Sequence, residues 1–583
     1  MFNKKNGENM ADQTLFSEHI NSAKFQEEFK KLWHSQSDFK STNLEIISKP
    51  FKVCRISNFL RDEIIENLKC ELDCHNHIRQ ALDLYQLEKT EDLSRATDKC
   101  IQRLNRSFQT DLVSWMKRNT DIELNGKVSM SSARYYDTDR LLCHDDNMGD
   151  RRIAYIFYLT KNWSEEDGGA LDLFDTDEDG SPGKTVKSLI PEYNSLVFFE
   201  VVDNSYHQVA EVTSDKCRWS INGWFHGPLK KNFPPRREPE VTFVPTSSIE
   251  VDLHSWISDD YLTPNIMVQI QEEVETSSYT FLKGFLKESV YRRIANDLTS
   301  RDISWRMIGP PDMRHYEIAD EQTLPKLLKD LCELFKSIFF IQLLLNKYTG
   351  LDLVPDEIKG LKMTLELQRW SSGCYTLLYD RLLFQDASDE SIELDQLDDD
   401  VSADDAAASA LASTSGFSTG EINLDANGTR RELKRERIND SSSSANLPDK
   451  KKVARWLDSQ SDVGMQVSSK HEHDMGEISS SPDEKLFRSD TPASEDDSAS
   501  EDGEFQLDVI IQFHAEDPKG KPKTEDTIDY VDVSEHGGVL MQVPTRNNHL
   551  CLVYRSVLIS RLQKYLNHLY DGYSYTFICS YYK

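Results

Sequence analysis

Residues 131–159 read SSARYYDTDRLLCHDDNMGDRRIAYIFYL. From Val128 onward the apolar period is two, and short strand-like runs are separated by turns of Gly, Asp and Asn. The same texture continues in GGALDLF (168–174), NSLVFFEV (194–201) and RWSINGWFHG (218–227). Upstream, between about Phe16 and Thr120, apolar residues recur at helical spacing, as in Ile64, Ile65 and Leu68 or Ile101, Leu104 and Phe108. The strand-like FKVCRI interrupts them. Helices flanking a sheet-rich centre predict an α+β fold with a mainly β core, not a parallel α/β fold.

A second series of strand-like segments follows in the same order: QRWSSGCYTLLYDR (368–381), LDVIIQFH (507–514), GGVLMQV (537–543), NHLCLVYR (548–555) and SYTFICSYY (574–582). Self-similarity in register predicts two copies of one β-fold. Overlaying them puts Tyr379 on His144 and Arg381 on Asp146, leaves His207 without a histidine, and gives Arg218 no basic counterpart near Gly572 or Tyr573. The second copy is therefore not expected to bind a metal. Between its strands, residues 386–502 are rich in Ser, Asp and Glu and nearly free of aromatics, a composition that predicts disorder. Two basic clusters lie inside it, Arg430, Arg431, Lys434, Arg435 and Arg437, then Lys450, Lys451, Lys452 and Arg455. Their spacing resembles a bipartite nuclear import signal, with a solvated charge run as the alternative.

The net charge of −32 weighs against clamping a nucleic-acid backbone and favours a basic protein partner. Ten cysteines without a CxxC pair suggest reduced, mostly buried thiols. The start has no apolar leader, and the longest apolar stretch, Ile338 to Leu345, is far short of the ~20 residues that span a bilayer. A soluble intracellular protein, with no membrane and no direct nucleic-acid partner, is expected.

His144 and Asp146 stand two apart just ahead of a strand, with His207 and then Arg218 downstream. Two imidazoles and one carboxylate on one face of an iron ion leave the opposite face open, as oxygen activation requires. Arginine suits the far carboxylate of a dicarboxylic co-substrate. The order predicts an iron(II), 2-oxoglutarate-dependent oxygenase. Along the last strand Arg218 and Ser220 share a face, and are expected to grip that carboxylate together. Tyr158 can reach it with its phenol, core packing being the alternative. Lys216 competes with Arg218 but sits in the turn SDK.

With 15 histidines in the chain, a lone His-x-acid pair is weak, and His315-x-Glu317 and His514-x-Glu516 also occur. The second has His549 and Arg561 behind it, but Arg561 lies in RLQKYLNHL, which reads as helix. GSPGKT (180–185) ends like a phosphate loop, yet Glu178 takes the first glycine's place and VKSLI reads as strand. Cys143 is expected to be a packed thiol.

LLCHDD, RRIAYIFYL, GGALDLF, NSLVFFEV, SYHQV, R-x-S and GWFHGP together resemble the eukaryotic prolyl 3-hydroxylases that modify a small-subunit ribosomal protein at the decoding centre. The likeness covers almost the whole chain outside the acidic insert. It implies two tandem double-stranded β-helix (jelly-roll) domains, at 1–238 and 239–583, the second catalytically silent and interrupted by 386–502. It implies metal ligands His144, Asp146 and His207, 2-oxoglutarate on Arg218 and Tyr158, and a pocket lined by Tyr135 and Leu141. Cofactors would be Fe(2+), 2-oxoglutarate and O2, with L-ascorbate as reductant. The reaction would place a hydroxyl on C3 of one proline while 2-oxoglutarate becomes succinate and carbon dioxide. Asp137, Asp139, Asp145 and Glu165, Glu166 and Asp167 would steer the basic substrate, solvated surface charge being the alternative. Translation factors and a second copy of the chain are the further partners implied, with residence in cytoplasm and nucleus. Two other readings stay open: a translation or stress-granule scaffold, and a 2-oxoglutarate oxygenase of another residue type, such as a lysyl hydroxylase or demethylase.

Overall fold

The computed structural model describes residues 15–228, 241–350, 361–378, 505–525, 527–532, 539–556 and 558–582. These residues belong to one compact unit. The acidic segment 386–502, its two basic clusters, and Tyr379 and Arg381 lie outside the described residues.

The first half contributes β1 (Phe39–Lys40), β2 (Leu44–Ile47), β3 (Val53–Ser57), β4 (Ile78–Ala81), β5 (Tyr85–Lys89), β6 (Ser131–Tyr135), β7 (Arg140–His144), β8 (Arg151–Tyr158), β9 (Leu171–Thr176), β10 (Pro182–Leu189), β11 (Ser195–Glu200), β12 (His207–Val209) and β13 (Arg218–His226). They run β1-β2-β3-β11-β8-β13-β6-β5-β7-β12-β9-β10, with β4 on β5. Every pairing is antiparallel. The long sheet centred on β8 faces the short sheet of β7, β12, β9 and β10, and β5 joins the two. VKSLI is strand, as part of β10, so GSPGKT forms a hairpin arm.

RIAYIFYL is apolar almost throughout because β8 is buried on both faces. Its outer face, Ile153, Tyr155 and Phe157, packs with Phe29, Leu68 and Phe108 of the helical layer. That layer includes helices Ala23–Trp33, Asp62–Leu72 and Lys99–Ser107. Its inner face, Ala154 and Tyr158, meets Val197 and Phe199 of β11 and Leu171 and Leu173 of β9. Truncating a core aromatic such as the fully buried Phe157 to Ala costs about 3–5 kcal/mol. The helical spacing upstream hides two departures: β1 and β2 pair within residues 39–47, and residues 78–89 form the β4–β5 hairpin.

The second half contributes β14 (Tyr279–Lys283), β15 (Trp305–Ile308), β16 (Arg314–Ala319), β17 (Lys362–Trp370), β18 (Tyr375–Thr376), β19 (Phe505–Phe513), β20 (Ile528–Asp532), β21 (Val539–Val543), β22 (His549–Ser556), β23 (Ile559–Gln563) and β24 (Ser574–Tyr582). Its order β14-β22-β19-β24-β17 repeats β3-β11-β8-β13-β6, and β23-β20-β21 repeats β12-β9-β10. Two copies of one double-stranded β-helix are present.

The overlay needs three corrections and the helix reading of Arg561 a fourth. GGVLMQV supplies β21, an edge strand standing where β10 does, so the counterpart of GGALDLF is the central strand β20. LDVIIQFH slips by one residue. Val509, Ile511 and Phe513 face the helices while Asp508 and Ile510 face inward, so Gln512 takes the place of Tyr158. A one-residue slip exchanges the two faces of a strand, and an all-apolar run gives no signal against it. Because Ser220 pairs with Tyr158 and Thr576 with Gln512, Arg218 matches Ser574, not Gly572 or Tyr573. Finally, Arg561 lies on β23 rather than on a helix, its guanidinium drawn inward to buried Asp508 at 3.3 Å.

Candidate metal centre

Antiparallel pairing of β7 with β12 makes His144 and His207 direct cross-strand partners, with ring centroids 4.2 Å apart. Asp146 follows where β7 has ended, in the left-handed region at φ 61°, and its carboxylate turns back between the rings. It stands 3.6 Å from Nε2 of His144 and 3.4 Å from Nε2 of His207. Ligand atoms from all three lie within 4.8 Å of one another, and among the described residues no other His, Cys, Asp or Glu group does so.

The donor chemistry fits a divalent transition metal. Each imidazole Nδ1–H donates to a backbone carbonyl at 2.8 Å, His144 to Leu142 and His207 to Ser205. That fixes the tautomer, leaving both Nε2 lone pairs for a metal. Burial, then the neighbouring His207, push the His144 imidazolium down to about 4, so its ring is neutral at pH 7. Burial would raise the Asp146 carboxyl, but the His207 hydrogen bond and the charges of His144, His207 and Arg151 outweigh it and hold it well below the usual range. Neutral imidazoles and an ionised carboxylate are the forms that ligate.

All three residues line a cavity of about 260 Å³ between the sheets, with Arg218, Ser220, Tyr135 and Leu141 also on its wall. Arg218 is 1% exposed. Its Nε donates to the Gly169 carbonyl at 2.7 Å and a terminal nitrogen to the Tyr158 hydroxyl at 3.3 Å, while the Tyr135 and Tyr158 rings flank the guanidinium. No carboxylate lies within ion-pair distance among the described residues. A buried guanidinium without a counter-charge is costly, and an anion in the cavity relieves that cost. Gly169 must be glycine: its φ is +63°, and a Cβ would stand 2.8 Å from the Arg218 side chain.

Of the expected pocket residues, Tyr158 alone is set back, fully buried behind Arg218 and off the cavity wall. Lys216 is tied to Asp167 at 2.9 Å, and Cys143 packs with Phe174 and Tyr206. His315 stacks on Tyr375 while Glu317 pairs with Arg369, and His514 bonds the Ala295 carbonyl while Glu516 pairs with Arg546, so neither rival pair forms a ligand set. Three charges expected free at the mouth are not: Asp139 is fully buried against Arg79, Asp167 is buried against Ser164 and Lys216, and Asp137 pairs with His568.

Missed from the sequence were Tyr85 and Leu87 on β5, and Arg151 stacked on Trp224 with its guanidinium 3.7 Å from the ring centroid and 3.6 Å from Asp146. The alternation in YQLEK was the available signal for β5.

Residues 130–226 match the model of the 2OG-Fe(II) oxygenase superfamily. Residues 250–583, more than half the chain, match that of the oxoglutarate and iron-dependent oxygenase degradation C-terminal domain. The chain is 38% identical over 341 residues to prolyl 3-hydroxylase OGFOD1 of Mus musculus, covering 58% of this chain and 62% of that protein. It is 39% identical over 332 residues to prolyl 3-hydroxylase OGFOD1 of Xenopus laevis, covering 56% and 64%. To prolyl 3-hydroxylase sudestada1 of Drosophila melanogaster it is 31% identical over 356 residues, covering 58% and 66%. The chain thus spans less than two thirds of the length of these curated relatives.

Proposed function

The chain belongs to the oxoglutarate and iron-dependent oxygenases, and on that premise we propose that it is a prolyl 3-hydroxylase acting on one proline of a basic small-subunit ribosomal protein. The observation that supports the oxygenase chemistry is one cavity holding both the His144, Asp146 and His207 ligand set and a buried Arg218 without a carboxylate. The names of the relatives support proline and its C3. The net charge of −32 supports a basic partner, modification of which would act on translation.

In this reading His144 Nε2, Asp146 and His207 Nε2 hold iron(II). Bound there with 2-oxoglutarate, the metal supplies dioxygen activation, with L-ascorbate as reductant in solution. Arg218 and Ser220 bind and orient the distal carboxylate of 2-oxoglutarate. Tyr158 holds the guanidinium from behind. Tyr135, whose phenol burial pushes up to about 12, stays a neutral wall and donor. Leu141 and Leu87 exclude water, which protects the reacting centre from side reactions.

The test is to incubate the purified chain with iron(II), 2-oxoglutarate, ascorbate and the candidate ribosomal protein, following peptides by mass spectrometry. Gain of one oxygen on a single proline with matching succinate supports the assignment. Oxygen on lysine, or succinate without a modified peptide, would replace the substrate reading. Residence in nucleus as well as cytoplasm is proposed from the basic clusters at 430–455. A tagged chain with Lys450, Lys451 and Lys452 changed to Ala should leave the nucleus; an unaltered distribution contradicts it.

A further inference from the structure

The cavity is closed on one side by the β4–β5 hairpin. This hairpin is loosely stitched, β5 sharing only two register pairs with β6 and two with β7. Three of the four β4 residues are exposed. Yet Gln80, Leu84, Tyr85, Leu87 and Lys89 form cavity wall. Something beyond its own ladder must hold it down.

Three carboxylates of the first half accept hydrogen bonds from the second half around this hairpin. Asp83, in the hairpin loop, accepts from the Leu378 amide at 2.8 Å. Asp137 accepts from His568 Nε2 at 2.8 Å. Glu211 accepts from the Tyr565 hydroxyl at 3.0 Å and the His568 amide at 2.9 Å, and Arg140 covers the Tyr565 ring at 4.0 Å.

From Glu211 two short routes lead inward. Its backbone carbonyl accepts from Gly169 N at 3.0 Å, and the Gly169 carbonyl is the one that holds Arg218 Nε. Next to it, Val212 exchanges two backbone bonds with the β6–β7 turn, Thr138 N to Val212 O at 2.8 Å and Val212 N to Asp139 O at 2.9 Å. In that turn the fully buried Asp139 grips Arg79 of β4 through two bonds of 2.6 Å. Bidentate charge-assisted pairs fix geometry as well as adding energy.

We propose that the second half, whose described residues form no metal-ligand set, is a brace for the first: through Glu211, Asp137 and Asp83 it seats Arg218 and pins the β4–β5 hairpin over the cavity. Glu211 is a positioning residue, since it touches no cavity atom. The bracing holds whatever the cavity takes; its effect on keto-acid binding rests on the proposed function.

The experiment compares hydrogen exchange of the full chain with Glu211→Ala, Glu211→Gln and Tyr565→Phe variants, without co-substrate, and then measures 2-oxoglutarate KM and kcat. In Glu211→Ala, amides of residues 78–89 are expected to exchange faster although Glu211 does not touch them. KM should rise roughly fivefold or more with kcat within about twofold. Glu211→Gln, which keeps one acceptor oxygen, should recover part of both, and Tyr565→Phe should give a smaller change in the same direction. Faster exchange confined to residues 211–213 and 565–568 would overturn the brace of the hairpin, and an unchanged KM would overturn the seating of Arg218. If the hairpin loosens in Glu211→Ala while 2-oxoglutarate never protects it in the unaltered chain, the brace stands and the keto-acid reading falls.

Discussion

The two β-helices share strand order and opposite interiors. In the first, Ala154 lines a cavity of about 260 Å³ that carries the His144, Asp146 and His207 set, and Val201 packs in the apolar cluster beside it. In the second, Asp508 and Arg555 stand at the matching places on β19 and β22, and Arg561 on β23 occupies the face that β12 gives to His207. Asp508 is fully buried and is held by Arg555 at 2.9 Å, Arg561 at 3.3 Å, Tyr530 at 2.8 Å and Ser580 at 2.5 Å. Beside it, where Arg218, Tyr158 and Ser220 would be, Ser574, Gln512 and Thr576 line about 20 Å³. One copy turns the Arg218 guanidinium, with no carboxylate in ion-pair distance among the described residues, toward a cavity, as a ligand site needs. The other pairs its buried charges with one another, as a scaffold needs.

The strongest way to break this contrast is at the ligands. His207→Ala should lower hydroxylation by roughly 10⁴-fold, measured as product per enzyme, and retained activity would move the metal elsewhere. Next comes the paired interior. Asp508→Ala leaves two guanidiniums facing each other and should cost about 3–5 kcal/mol in urea unfolding without altering 2-oxoglutarate affinity in the surviving folded protein. Arg218→Ala should raise the 2-oxoglutarate KM roughly 10²-fold, tested by steady-state kinetics, because a desolvated charge pair is lost.

A pH series sharpens the same point. Burial would raise the Asp508 carboxyl, but Arg555, Arg561 and Ser580 outweigh it and hold it at about 2. A depressed folded value means stability present above the unfolded value near 3.9 and lost as pH falls toward 2, worth about 2–3 kcal/mol. The stability gap between the unaltered chain and Asp508→Asn should therefore be constant from pH 7 to about 4 and shrink below it. A gap that narrows already near neutrality would point to another group. The smallest effect is expected for Tyr158→Phe, which removes only an acceptor behind Arg218 and should change KM by about two- to fivefold.

Much of this was legible in the residues. The His-x-Asp, His, Arg order carries its own coordination chemistry, and the alternation of Arg218 and Ser220 with Trp219 and Ile221 shows which face they share. Duplication was visible because apolar runs repeat in order. Register was not, since LDVIIQFH is apolar on both faces and a shift by one leaves its pattern almost unchanged. Nor was the strand nature of Arg561, because ISRLQKYLNHL has helical spacing and its extended form is imposed by pairing with β20 and by Asp508. The Arg79 and Asp139 lock and the Glu211 brace join residues far apart in the chain, for which a single sequence carries no signal.

The central claim is that one half of the molecule holds one metal ion and the other holds none. Metal content per chain, measured anaerobically by mass spectrometry after loading with iron(II) and 2-oxoglutarate and dialysis, tests it most directly. One iron per chain, lost in both His144→Ala and His207→Ala and retained in Arg561→Met, is the expected result. Two irons per chain, or one that survives loss of either histidine, would contradict it.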